Sequence, residues 1–555
     1  MNSQKKEIIL NWLRTQEESE TLTQEQRDIF ALIKESLNTK KYGLVFEEKE
    51  EDIVNETEKS ILALKQKDLI IGNKNANKLN YLLEGDNYQA LKLLQKTHRN
   101  RIDVIYIDPP YNTGNKDFIY NDTYVDSEDT FRHSKWLSFM KKRLEIARTL
   151  LSDNGVIFIS IDDNECAQLK ILCDDVFGEN NFISSLPRLT TTGGKTHDNI
   201  LAKQHDYVLL YIKKHNIKSR ELLFNHEPLD SKSFNKDDND GRGKYRLVKL
   251  LAEKNLDERT GTQAEPIEFN GEIFFPILPD GKKWYWRWGT ERVELGKKLG
   301  LIVNDRGVLK TKLYFEYDFK QGATELIKKE RIKLFASTDL VSYEFSNDNG
   351  TKELQKIFGQ NKLFSFPKTV NLIFKLLKLI KNKDAIILDF FAGSGTTGHA
   401  VAKLNAEDGG NRTYILCTNN ENNICEDVTF KRLKNIQEEL PHNLLYQKIE
   451  MINKDKIINS NYDKKYFDQL DESSKQLAQL ELGRLIDNKE ILFILNQDEL
   501  DKFSDQDLLN AKIIFINESK VNLYSRSIYD EIEEKIIIIP DNYYKKELKE
   551  IDYLW

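Results

Sequence analysis

Short apolar runs, each closed by a turn residue, recur along the chain and predict buried strands: Leu82 to Asp86 with its turn, Val104 to Ile107, Val156 to Ile161, Tyr207 to Tyr211, Ile386 to Leu388 and Thr413 to Cys417. Helical patterns lie among them, at Tyr88 to Leu94, at Trp136 to Leu151 and after Thr396 and Thr397. Strands alternating with helices predict an α/β fold. Residues 1–80 differ. Ile8, Ile9, Trp12 and Leu13, then Ile29, Leu32 and Ile33, fall at helical spacing and predict a charged helical segment with one packing face.

The α/β pattern breaks off after Tyr211 and resumes near Phe364. The interval holds charge runs such as Lys236 to Gly243 and the alternating Trp284-Tyr-Trp-Arg-Trp288. An insertion of about 145 residues inside one fold predicts a separate domain. The expected organisation is therefore a helical segment over 1–80, an α/β domain built from 81–216 and 361–440, an inserted domain over 217–360, and a small α/β domain over 441–555. The last has three strand candidates, Ile491 to Leu495, Lys512 to Ile516 and Lys535 to Pro540.

Composition narrows the class. The longest uncharged apolar runs, such as Tyr207 to Ile212, are far shorter than the roughly 20 residues of a membrane span, and the start of the chain has no signal-peptide core. Cys166, Cys173, Cys417 and Cys425 have neither disulfide nor metal-ligand spacing, so a reducing cytoplasm and no bound metal are expected. A net charge of −7 speaks against a nucleic-acid partner, but it is unevenly spread. Residues 181–360 carry about +5 and the rest about −12, with acid-free clusters at Arg242 to Lys249 and Lys282 to Arg287.

Asp108-Pro109-Pro110-Tyr111, at the end of the Val104 to Ile107 run, points to chemistry on an amino group. An exocyclic base nitrogen is a poor nucleophile because its lone pair is delocalised into the ring. Asp108 and the Pro109 carbonyl supply two acceptors for its N–H groups, the prolines stiffen the loop and remove competing donors, and Tyr111 offers a face for stacking. A second motif, Ile386 to Ala400, is a strand, a glycine turn and a helix start. Gly393 and Gly395 allow close backbone approach, and Thr396 and Thr397 offer hydroxyls and N–H groups to an anionic group such as a carboxylate. Gly393, Gly395 and Gly398 also satisfy G-x-G-x-x-G, with Glu421 placed to hold a ribose, so this motif fits NAD as well as S-adenosylmethionine (SAM). The Asp-Pro-Pro-Tyr loop decides for SAM, because hydride transfer has no use for it. Gly193-Gly-Lys-Thr196 is no P-loop, since Leu189 stands where its first glycine belongs.

Through these motifs, with Leu83 to Tyr88, Tyr106 to Asn115, Gly155 to Glu165, Gly350 to Leu354 and Asn411 to Glu421, the chain resembles DNA adenine-N6 methyltransferases whose Asp-Pro-Pro-Tyr precedes Phe391-x-Gly-x-Gly, and more narrowly the modification (Mod) subunit of type III restriction-modification systems. The resemblance implies a Rossmann-like SAM-dependent fold with a mixed seven-stranded sheet and an inserted target-recognition domain. It places the methionine end of SAM at Asp389 to Thr397 (Asp389, Phe391, Gly393, Gly395, Thr396 and Thr397), the ribose at Glu421 and the adenine end near Asp86. Lys368 falls where the family has another cofactor-side motif, although Thr369 replaces a usual proline. The alternative for Asp86 is a helix N-cap for Tyr88 to Leu94. Asp rather than Ser at position 108 favours adenine over cytosine N4. The resemblance further implies double-stranded DNA as substrate, a homodimer, and a separate Res helicase-nuclease subunit. The alternatives are a cytosine-N4, RNA or protein methyltransferase, a nicotinamide oxidoreductase, and a DNA-recognition subunit without catalysis.

Overall fold

The apolar runs fold into the centre of one large mixed sheet. The computed structural model describes residues 30, 46–73, 78–114, 117–121, 123–193, 202–214, 224–225, 227–228, 231–252, 262–277, 284–319, 325–328, 332–333, 335–359, 364 and 367–553. Its strands, in chain order, are β1 (Ser60–Ile71), β2 (Asn80–Glu84), β3 (Ile102–Ile107), β4 (Leu151–Ile161), β5 (Phe182–Leu189), β6 (His205–Ile212), β7 (Ile386–Asp389), β8 (Thr413–Thr418) and β9 (Asn443–Asn453). Across the sheet they run β1-β9-β2-β8-β7-β3-β4-β6-β5. The six from β9 to β4 are mutually parallel, while β1, β6 and β5 join antiparallel. Parallel strands buried on both faces need continuous apolar sequence, which is why Val104 to Ile107 of β3 and Ile386 to Leu388 of β7 read as unbroken runs.

Helices α1 (Asn87–Thr97), α2 (Arg132–Leu150), α3 (Val370–Lys378) and α4 (Thr396–Asp408) follow or precede these strands. The neighbours β3 and β7 lead onward in opposite directions, β3 to β4 on one side and β7 to β8 on the other. Such a switch point opens a crevice at the carboxyl ends of the strands, the usual ligand position in open α/β sheets. Both motifs end there.

Two expectations about organisation are corrected. Ser60–Ile71, expected within a helical segment, is a strand that pairs antiparallel with β9. Its Leu-Ala-Leu-Lys-Gln-Lys stretch has helical propensity, but Ile61 to Leu64 are buried while Lys65 to Asp68 face solvent, so pairing and burial override it. The earlier helical pattern, apart from Phe30, lies outside the described residues. Likewise β9, expected at the head of the C-terminal domain, lies inside the main sheet between β1 and β2, which thus has nine strands rather than seven. Beyond it, Ile491–Ile494, Ile513–Ile516 and Ile536–Ile538 form a parallel three-stranded sheet at the three apolar candidates. Tyr544, in the helix that follows, donates to the Leu62 carbonyl of β1 at 3.1 Å.

Residues 1–223 and 337–555 form one compact unit and Phe224–Ala336 another. The second is shorter than the expected 217–360, and helix Asn347–Phe358 belongs to the larger unit. By itself the smaller unit has an antiparallel sheet of Tyr245–Lys249, Val308–Tyr314 and Ile302–Asp305 over its own core. Trp286 and Trp288 are buried in that core, so the alternation of the tryptophan run serves packing. Among the described residues no helix is long and apolar enough to cross a membrane.

Candidate active site

The loop after β3 is held at both ends. Trp136 on α2 donates its indole N–H to the Pro110 carbonyl at 2.7 Å. Asn112, with a left-handed φ of 57°, donates to Glu165 Oε1 at 2.6 Å and to the Arg132 carbonyl at 3.3 Å. Glu165 is fully buried, and burial raises its carboxyl to about 8. His133 Nδ1 lies 2.7 Å from it, and burial, with Arg132 nearby, lowers the imidazole below its ordinary value. Among the described residues no hydrogen bond ends on the Pro109 carbonyl. The Pro110 carbonyl is thus tied to the scaffold and the Pro109 carbonyl is not.

Asp108 has a partner that the resemblance did not imply. Lys368, expected on the cofactor side, donates from Nζ to both Asp108 oxygens, at 2.7 and 2.6 Å, and lies 4.9 Å from the centre of the Tyr111 ring. Tyr111 is half-buried and donates its hydroxyl to Asp206 Oδ2 at 3.2 Å. Burial first, then Asp108 and Asp206, push that phenol well above its usual range. Asp206 is in turn gripped by Arg188, with Nε to Oδ1 at 2.7 Å and a second bond from Nη2 to Oδ2. Arg188 Nη1 reaches the Phe345 carbonyl and Asn347 Oδ1. This buried pair comes from the edge strand β5 and its neighbour β6, and local sequence signalled it only as isolated charges beside apolar residues.

The glycine turn after β7 is built as the motif suggests, but its polar side chains face inward. Gly393 has φ 47° and Gly395 φ 76°, and a Cβ on Gly393 would lie 3.1 Å from Phe364 Cζ. Asp389 is 2% exposed, accepting from Phe391 N at 3.0 Å and from the Thr397 hydroxyl. Burial raises its carboxyl to about 7, with Asp108 adding to the shift and these two hydrogen bonds opposing it. Arg432, also unforeseen, is fully buried and donates to the Thr396 hydroxyl at 2.8 Å and to Ser394. The expectation that Thr396 and Thr397 hydroxyls meet an anionic group is corrected, because both are committed to the scaffold.

Asp86 caps α1, accepting from Tyr88 N at 2.7 Å, and Arg143 Nη2 lies 3.5 Å from the same oxygen. Arg143 is fully buried and paired with Glu51. Glu421, exposed, follows β8. A cavity of about 1200 Å³ opens above the strand ends. Asp86, Asp108, Pro109, Pro110, Tyr111, Lys368, Phe391, Gly393 and Glu421 line it; Asp389, Gly395, Thr396 and Thr397 are buried and do not. The cavity is rich in carboxylates, since Glu51, Asp117, Asp162 and Asp206 also face it. Of the resemblance motifs, Asn115 and the Ser365-Phe366 pair beside Lys368 lie outside the described residues, as do the last three residues of Gly193-Gly-Lys-Thr196.

A family model described as DNA methylase, of the N6/N4 methyltransferase kind, matches residues 102–432. The chain is 33% identical to the Mod subunit of the type III enzyme EcoPI of Escherichia phage P1, over 63% of this chain and 58% of that one. It is also 33% identical to the StyLTI Mod subunit of Salmonella typhimurium, over 62% of this chain and 53% of the other. With the type II methyltransferase M.KpnI of Klebsiella pneumoniae the identity is 35%, over 66% of this chain and 90% of the relative. The chain therefore spans little more than half the length of the type III relatives it matches.

Proposed function

The chain belongs to the DNA methylase family, and from that membership we propose that it is a site-specific DNA methyltransferase moving the methyl group of SAM to N6 of an adenine. One observation carries the reading. The acceptor loop Asp108 to Tyr111 and the glycine turn at Gly393 line a single cavity at the switch point of the sheet. The residues fit the cofactor. A Cβ at Gly393 would narrow the cradle, carboxylates around the cavity suit a ligand carrying sulfonium and ammonium charge, and Glu421 suits a ribose diol. Asp86, Phe391, Gly393 and Glu421 would hold it, with Asp389, Gly395, Thr396 and Thr397 shaping the cradle from behind. Bound there, SAM supplies an electrophilic methyl group.

The target base leaves the duplex, because N6 is otherwise engaged in a base pair. Extrusion costs a few kcal/mol, and stacking on Tyr111 offsets about 1–3 kcal/mol of it. Asp108 and the Pro109 carbonyl accept the two amino hydrogens, which orients the nitrogen and makes its lone pair available. The nitrogen gains a methyl group and gives up one proton, which leaves through Asp108 or water. Asp at position 108 supports adenine over cytosine.

The type III names of the EcoPI and StyLTI relatives support a Mod role; the resemblance implies that such a subunit is a cytoplasmic homodimer that recognises double-stranded DNA and serves a separate Res subunit. A second reading, a methyltransferase acting without such a subunit, is favoured by the match over 90% of M.KpnI. The test is transfer of tritiated methyl from SAM to unmethylated bacterial DNA by the intact protein and by Asp108→Ala, with the labelled nucleoside identified. N6-methyladenine made by the first and absent with the second is the expected result. Labelled N4-methylcytosine, or no label despite SAM binding, would overturn adenine methylation of DNA. Co-purification with a co-expressed Res subunit separates the two roles.

A further inference from the structure

We propose that Lys368 is the positioning residue for Asp108, holding its carboxylate in place for the incoming amino group and then sharing it. The inference rests on the reading of Asp108 as the amino acceptor. Nζ bonds both carboxylate oxygens, at 2.7 and 2.6 Å, with the two side chains 10% and 25% exposed. A charge-assisted pair so sheltered orients the carboxylate more firmly than a surface ion pair would. The ammonium is also 4.9 Å from the centre of the Tyr111 ring, within reach of the ring on which a base would stack. A carboxylate has about four lone-pair directions, so Asp108 can accept an amino hydrogen without giving up Lys368 altogether.

The backbone that carries Lys368 is clamped. Thr369 caps α3, accepting from Asn371 N at 3.2 Å, and its hydroxyl meets Glu353 Oε1 at 3.0 Å. Glu353 Oε2 takes the N–H of Val370 at 2.8 Å. The Lys368 carbonyl accepts from Thr396 at the start of α4, at 3.3 Å. Helix Asn347–Phe358 presses on the same segment so closely that a Cβ at Gly350 would lie 2.2 Å from the Pro367 carbonyl oxygen. The Gly350 to Leu354 motif, unexplained by cofactor or base, thus fixes the root of Lys368. Among the described residues, Asp108 interacts with Lys368, with Tyr106 and Tyr111 on its own strand and loop, and with Asp389 at the end of β7, while the Arg188–Asp206 pair of β5 and β6 acts on Tyr111 beside it. Among them, Lys368 is the cation hydrogen-bonded to Asp108 itself.

The test compares the intact protein with Lys368→Gln, Lys368→Arg and Asp108→Ala. It measures SAM affinity by calorimetry, and kcat and KM for unmethylated DNA. Lys368→Gln is expected to bind SAM within about twofold of the intact protein, which also shows that it folds. Its kcat should fall by up to about 100-fold, the scale of a misplaced reacting group. KM for DNA should change much less than kcat. Lys368→Arg, which keeps the cation, should recover part of kcat. A loss of SAM affinity of tenfold or more in Lys368→Gln would assign Lys368 to the cofactor and overturn the inference, as would an unchanged kcat or a Lys368→Arg variant no better than Lys368→Gln. If the intact protein transfers no methyl group, the proposed reaction fails and the inference falls with it, a result distinct from any of those.

Discussion

Gly350→Ala sets two physical effects of opposite sign against each other. Gly350 lies within helix Asn347–Phe358, where alanine is favoured over glycine by about 1 kcal/mol. Propensity therefore predicts a stabler protein. The added Cβ, however, would sit 2.2 Å from the Pro367 carbonyl oxygen and 3.0 Å from Lys368 C and Thr369 N. All three are backbone atoms of a segment already held by Glu353 and Thr396, so the neighbour cannot swing aside as a side chain would. An ordinary contact requires a separation of more than an ångström beyond that found, and overpacking of this kind costs about 1–3 kcal/mol. With backbone on the receiving side the steric cost should fall in the upper part of that range and exceed the propensity gain, leaving a net loss of up to about 2 kcal/mol. Thermal unfolding followed by circular dichroism would register this as a lower midpoint, at roughly 2–4 °C per kcal/mol for a cooperative unit of 150–250 residues. Because the displaced segment carries Lys368, kcat should fall more than SAM affinity does. A variant with a raised midpoint and unchanged kcat would refute both the packing argument and the clamp.

Three further outcomes are expected. Asp389, raised to about 7 by burial, is protonated more readily in the folded than in the unfolded chain, so its contribution to stability is complete below about pH 4, declines as pH rises through about 7, and is flat beyond; urea midpoints should fall less between pH 5 and 8 in Asp389→Asn than in the parent, and equal slopes would count against the assignment. Gly393→Ala places a Cβ on a left-handed residue beside Phe364, so calorimetry should show SAM affinity lowered by at least about tenfold, from about 1–2 kcal/mol of backbone strain plus lost space; unchanged affinity would move the cofactor away from that turn. Asp206→Ala leaves Arg188 buried without its carboxylate and should destabilise by about 3–5 kcal/mol, whereas Tyr111→Phe spares that pair and should keep the unfolding midpoint while raising KM for DNA; loss of stability in both variants would show that the hydroxyl, not the ion pair, carries the load.

The chain by itself determined the family and the two motifs on which the proposed chemistry rests. Unbroken apolar runs can be buried on both faces only as central parallel strands, and the residues that follow them, Asp108 to Tyr111 and Gly393 to Gly395, then stand together at the strand ends. Those are local facts, since proline restricts φ and glycine tolerates positive φ wherever they occur. Tertiary structure decided which polar groups are left for a ligand. Asp389, Thr396 and Thr397 read as cofactor contacts, yet the buried Arg432 and the turn itself absorb them, because polar groups out of reach of water must find partners within the protein. Lys368 read as a cofactor group, yet packing 260 residues away in sequence delivers it to Asp108. Arg188 and Asp206, brought together from an edge strand and its neighbour, and β1 and β9, paired although Ser60 and Asn453 lie far apart in the chain, depend on long-range burial and hydrogen bonding that leave no local periodicity to read.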